Sequence, residues 1–181
     1  MPDLALGTLN EKTGSAVMRF RLIGFLIALT ALAACDVPPA GTEGQRVYRV
    51  TRADAAQVQF RMLDSINALR GAVGAQPVQF NAALNASAAT HARDMSVQNR
   101  PWHFGSDGSS PIDRARRAGY ERLFLGETIS ETFETELETL AAWMDRPDTR
   151  DVILDDRAQF IGFSWFQEKS GKLWWVLTIG A

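Results

Sequence analysis

Cysteine is almost absent from this chain: Cys35 is the only one among 181 residues. No internal disulfide can form, so the fold has to be held by its core. Histidine is nearly as scarce, with only His91 and His103, which limits sites that need several imidazoles. No charge of one sign dominates, the formal net charge being −2. Nucleic-acid binding runs on clustered Lys and Arg that neutralise phosphates, and that class of partner is set aside. Long apolar runs are missing too. The thirteen uncharged residues 22–34 fall short of the roughly 20 needed to span a bilayer, and no internal repeat is visible. What remains is ordinary globular composition, 46% hydrophobic and 22% charged, enough for one domain and an N-terminal appendage.

The appendage has the layout of an address. Met18-Arg19-Phe20-Arg21 supplies a positive start, residues 22–34 an apolar middle, and Leu32-Ala33-Ala34 small residues before Cys35. That order is a secretory signal peptide, covering residues 1–34, with translation expected to begin at Met18. Leu32-Ala33-Ala34-Cys35 resembles the lipobox of bacterial lipoproteins, which implies lipidation of Cys35 and attachment to a membrane. Several acyl chains on one residue anchor firmly where a single chain does not. Asp36 resembles an inner-membrane retention signal of enteric bacteria, while the outer membrane stays open. Residues 35–50, with Pro38-Pro39 and no apolar period, read as the lipidated cysteine and a flexible tether.

Residues 51–181 read as the folded domain. A first helix is expected from Thr51 or Asp54 to Arg70, with Val58, Met62, Ile66 and Leu69 on one stripe. Asn81 caps a second helix whose inner face carries Leu84, Ala88, His91 and Met95. Residues 99–109 form a loop. Ser110-Pro111-Ile112-Asp113 opens a short third helix that Gly119 ends. A fourth helix over residues 134–144 turns Phe133, Leu137, Leu140 and Met144 inward. Residues 160–166 and 173–179 are rich in β-branched and aromatic residues and make a closing hairpin. The class is α+β, helices packed on an antiparallel sheet. Trp174 and Trp175 point to opposite faces of a strand, which leaves at least one exposed to solvent or a partner.

Several motifs stand in order along the chain: Ile66-Asn67-Ala68-Leu69-Arg70, His91-Ala92-Arg93-Asp94-Met95, Trp102-His103, residues 107–120, Gly126-Glu127-Thr128-Ile129, Ala142-Trp143-Met144 and Trp174-Trp175-Val176. This ordered set resembles the bacterial branch of the CAP superfamily (cysteine-rich secretory protein, antigen 5 and pathogenesis-related, or SCP-like) over about residues 55–181. The resemblance implies a three-layer α-β-α sandwich and a cleft lined by His103 and Glu127. It also implies a second cleft histidine, for which Thr149 stands here, and an asparagine after the glutamate, for which Thr128 stands.

Those two departures shape the functional expectation, which is a membrane-tethered periplasmic lipoprotein whose domain binds an envelope lipid, glycan or protein without catalysis. His103, Glu127, Thr128 and Thr149 are the expected ligand cleft, and no cofactor is expected. The rival is a metal-assisted peptidase or other hydrolase using His103 and Glu127. These two would be the weak ligands of a divalent ion such as zinc, with Asp145 or Asp148 as substitutes. A hydrolase also needs a nucleophile next to its base. Ser106, Ser109 and Ser110 lie near His103 in sequence, without a Gly-x-Ser-x-Gly elbow. Gly105-Ser106-Asp107-Gly108 reads as loop punctuation before an anion cradle, Arg114, Arg116 and Arg117 as a solvated helix face before a phosphate site. His91 reads as a structural, hydrogen-bonded residue.

Overall fold

The computed structural model describes residues 47–132 and 134–181. The expected signal peptide, Cys35 and most of the expected tether lie outside the described residues, as does Phe133. Residues 47–50, expected as tether, pack on the closing hairpin: Val50 N–H donates to Gln167 Oε1 at 3.0 Å, and Gln167 Nε2 donates to the Tyr48 carbonyl at 2.7 Å. The folded domain thus begins ahead of Thr51.

Among the described residues, five helices and four strands follow: α1 (Ala55–Ala72), β1 (Gln79–Phe80), α2 (Ala82–Gln98), α3 (Pro111–Arg117), β2 (Phe124–Thr132), α4 (Glu136–Asp145), α5 (Pro147–Leu154), β3 (Phe160–Gln167) and β4 (Leu173–Gly180). The caps lie where the sequence placed them. The Asn81 side chain accepts from the Ala83 and Leu84 amides, and Ser110 and Asp113 form a complete capping box on α3. α1 runs on through Gly71 to Ala72, two residues further than expected, and the Val73 amide caps it on the Arg70 and Gly71 carbonyls.

The strand order is β1-β3-β4-β2. β4 lies antiparallel to both neighbours, but β1 runs parallel to β3, so the sheet is mixed and not purely antiparallel as expected. The reason is local. β1 is two residues long and forms the sheet edge, the amides of Gln79 and Asn81 donating to the Gln159 and Ile161 carbonyls. So short a strand leaves no period in the sequence.

Alternation along β4 builds the three layers. Leu173, Trp175, Leu177 and Ile179 pack with α1, α4 and α5, around Val58, Met62, Ile66, Leu140, Trp143 and Ile153. Trp174 and Val176 face α2, against Ala88, Ala92 and Met95. The two tryptophans do point to opposite faces, yet both are 0% exposed. The expected exposed tryptophan is corrected because β4 is central and covered on both sides. α2 lies so close to β3 that a Cβ on Gly162 would sit 2.2 Å from the Leu84 backbone. On α4 the inner stripe is Glu136, Thr139, Leu140 and Trp143, with Leu137 exposed. The bulky indole takes the inward position, rotating the helix away from the Leu137 face.

Candidate functional site

β2 carries Glu127 into a buried polar cluster between the sheet, α2 and α3. Glu127 pairs across the ladder with Thr178, whose hydroxyl reaches the Leu84 carbonyl of α2. Thr128 pairs with Leu177, which belongs to the opposite layer. The pleat therefore sends Glu127 toward α2 and Thr128 away from it. Thr128 is fully buried on the far face and does not line the cleft with Glu127.

Arg114 organises the cluster. Its Nη2 donates to both Glu127 oxygens, at 3.0 and 2.9 Å, and its Nη1 donates to the carbonyls of His103 and Ser109, at 2.9 and 3.0 Å. The side chains are 5% and 1% exposed. The expected solvated face holds for Arg116 and Arg117, which are exposed, but Arg114 is buried, and that part of the expectation is corrected. Spacing alone does not single out Arg114, because Arg117 lies three residues on and shares its helical face.

His103 Nδ1 lies 3.0 Å from Glu127 Oε1, and its ring is half exposed. The carboxylate accepts, so Nδ1 is the donor in this contact, and Nε2 has no protein partner among the described residues. His91 is fully buried, with Nε2 at 2.9 Å from the Trp102 carbonyl and 3.7 Å from Glu127 Oε1. Burial holds its pKa below the ordinary imidazole value, against the pull of nearby Glu127. It is a neutral donor to the loop, in keeping with its structural reading. Gln98 Nε2 reaches the Phe104 carbonyl at 3.2 Å. Three consecutive loop carbonyls, 102 to 104, are thus each held by a side chain from α2 or α3. Such support presets the His103 position before any ligand arrives.

Above the cluster opens a cleft of about 490 Å³, lined by Trp102 and His103 on one wall, Ile129, Ser130 and Glu131 of β2, and Trp143, Arg146, Asp148 and Thr149 at the α4–α5 junction. Thr149 does reach the cleft opposite His103, but its hydroxyl donates to the Trp143 carbonyl. Asp148 is held by Arg146 through both oxygens, at 3.2 and 2.7 Å. Asp145 is exposed at the end of α4.

The candidate serines serve the loop. Ser106 Oγ donates to Asp94 at 2.6 Å, and Ser110 caps α3. Ser109 N–H donates to Asp107, while the amides of Gly105 and Gly108 are satisfied inside the turn. None pairs with His103, so a base and its orienting carboxylate are present without an adjacent nucleophile. Zinc does not fit this donor set either. Both Glu127 oxygens face a guanidinium, His91 Nε2 donates to a carbonyl, and Thr149 is occupied. Among the described residues, no group of three His, Cys, Asp or Glu side chains is placed to hold a metal ion.

Similarity to known proteins agrees with this architecture. Residues 63–179 match the CAP model, the cysteine-rich secretory protein family. The Bacillus subtilis (strain 168) protein YkwD, described as uncharacterized, is 27% identical over 142 residues, 78% of this chain and 54% of that protein. The chain thus spans about half the length of this relative. Two solved structures share the fold. An extracellular protein containing a SCP domain from Bacillus anthracis has a TM-score of 0.64 and 17% identity, over 74% of this chain and 45% of that one. An outer surface protein from Borrelia burgdorferi has a TM-score of 0.61 and 16% identity, over 70% of this chain and 94% of that one. With the family model covering most of its folded domain, the chain belongs to the cysteine-rich secretory protein (CAP) family.

Proposed function

We propose that this protein is a lipid-anchored CAP domain of the bacterial cell envelope that binds a ligand in the His103 cleft without transforming it. One observation carries the reading. Arg114 Nη2 reaches both oxygens of Glu127 while His103 Nδ1 lies on one of them, so the buried carboxylate is engaged in orienting His103. Among the described residues, the only unpartnered ring nitrogen of a histidine facing outward is His103 Nε2, which can receive a hydrogen bond from a ligand. The extracellular and outer-surface descriptions of the two structural relatives support a position outside the cytoplasm, as does the lipobox ending in Cys35.

Native mass spectrometry of the purified protein, mixed with an envelope extract, tests the proposal. The expected spectrum shows a retained ligand that disappears in His103→Ala while the unfolding temperature stays within a few degrees. A spectrum with no His103-dependent ligand refutes it. The His103–Glu127 pair favours the rival hydrolase, which predicts instead that His103→Ala abolishes peptide or ester cleavage at unchanged stability. Turnover of such substrates by the wild-type protein would establish it.

A further inference from the structure

Arg114 has one donor left over. A guanidinium carries five N–H groups. Those on Nη1 reach the His103 and Ser109 carbonyls, and those on Nη2 reach the two Glu127 oxygens. The remaining one, on Nε, is buried without a partner among the described residues, and so is the hydroxyl of Ser87 on α2. Leaving buried polar groups unmatched is costly. Both residues line a second hollow of about 470 Å³ between α2, the 105–109 loop and α3. It shares no described lining residue with the His103 cleft. One water takes up about 30 Å³ of liquid, so the space is that of a small ligand.

The unmatched atoms say what that ligand brings. Arg114 Nε only donates, so it needs an acceptor, while Ser87 Oγ can donate or accept. The lining sets two carboxylates, Asp94 and Asp107, against two guanidiniums, Arg114 and Arg117. Glu127 neutralises Arg114 as well. An anion therefore meets no excess of positive charge here, and its lost hydration goes unreturned. An amide suits both atoms without a charge, its carbonyl accepting from Nε–H and its N–H donating to the hydroxyl. Bulk water does not wet either atom, so the carbonyl reaches Nε by moving rim side chains aside. Arg117, 63% exposed, is the long and mobile part of that rim.

We infer that the hollow between α2 and α3 is a second binding site, which takes an uncharged amide whose carbonyl accepts from Arg114 Nε–H. It goes beyond binding in the His103 cleft and does not depend on it. Proton–nitrogen correlation spectra of the purified, isotope-labelled protein test it, because they carry arginine Nε–H signals beside the backbone amides. The probes are N-acetylalanine N-methylamide, N-acetylglucosamine and acetate, each taken to millimolar concentration. The first two separate a peptide from an N-acyl source, and saturable shifts of the Arg114 Nε–H and Ser87 signals by either one support the site. Acetate is expected to leave those signals in place. Ala86→Leu fills the hollow from an exposed helix position and is expected to weaken amide binding at least tenfold, whereas Arg117→Ala is expected to keep or tighten it. Ser87→Ala should weaken it about fivefold, the worth of one hydrogen bond, without lowering the unfolding temperature, because an unmatched buried hydroxyl is removed. Tighter binding of acetate, or loss of amide binding in Arg117→Ala, overturns the uncharged-amide inference. Signals that no probe moves overturn the site. A Ser87→Ala protein that unfolds several degrees lower does so too, since its hydroxyl would then be matched already by an ordered water.

Discussion

Arg114 touches His103 and Glu127 at once, so removing it is felt in the cleft wall and in the core together. Arg114→Met leaves the Glu127 carboxylate buried and unpaired, a loss expected to cost about 3–5 kcal/mol. Denaturant unfolding should show that loss, and Arg114→Met combined with Glu127→Leu should recover most of it, because the stranded charge is gone. His103→Ala, at a half-exposed ring, should stay within about 0.5 kcal/mol of the wild type. His91 sets a pH dependence. Its folded pKa lies below the unfolded imidazole value of 6.5, so the unfolded chain takes up the proton first. Its stabilising contribution is therefore complete above pH 6.5 and falls as the pH drops below it. Urea midpoints measured from pH 7.5 to 5 should decline for the wild type and for His103→Ala. In His91→Gln, which keeps a donor for the Trp102 carbonyl, that decline should flatten.

Element by element, the helix starts were legible and the short or mixed elements were not. Ser110 and Asp113 announce α3 by side-chain chemistry that acts within four residues, and Asn81 does the same for α2. β1 has two residues, and β2 mixes Gly126, Glu127 and Thr128 into a run without clean alternation. α5 starts at Pro147 only one residue after α4 ends, and no helix is expected there from the sequence although proline suits the first turn of one. The glycines of these strands are read correctly only with their neighbours in place. Val152 of α5 stands where a Cβ on Gly126 would go, 2.7 Å away, and the backbone of α2 stands over Gly162. Backbone cannot move aside as a side chain can, so Gly162→Ala should cost about 3 kcal/mol, the upper end of overpacking penalties. Thermal unfolding should show it losing more than Ser110→Ala, whose lost cap is worth about 1 kcal/mol.

For the whole molecule, the proposed anchor makes one prediction apart from the folded domain. Cys35→Ser should leave the protein out of the membrane fraction and free of incorporated labelled fatty acid, with the thermal unfolding of its folded domain unchanged. Equal membrane partition of the two proteins would refute the lipid anchor. No helix among the described residues is long and apolar enough to cross a membrane. The sequence by itself determined the α+β class, the caps of α2 and α3, the hairpin of β3 and β4, and the apolar stripes that face the sheet. Each of these depends on residues close together in the chain, through helical or strand period and local hydrogen bonding. Tertiary structure alone decided that β4 is covered on both faces, burying Trp174 and Trp175, and that Glu127 and Thr128 part to opposite sides of the sheet. It alone brought Arg114 of α3 and His103 of the loop each within 3.0 Å of Glu127 of β2. Those contacts depend on which strand becomes central and which helix covers it, and that choice is made by packing among segments distant in sequence.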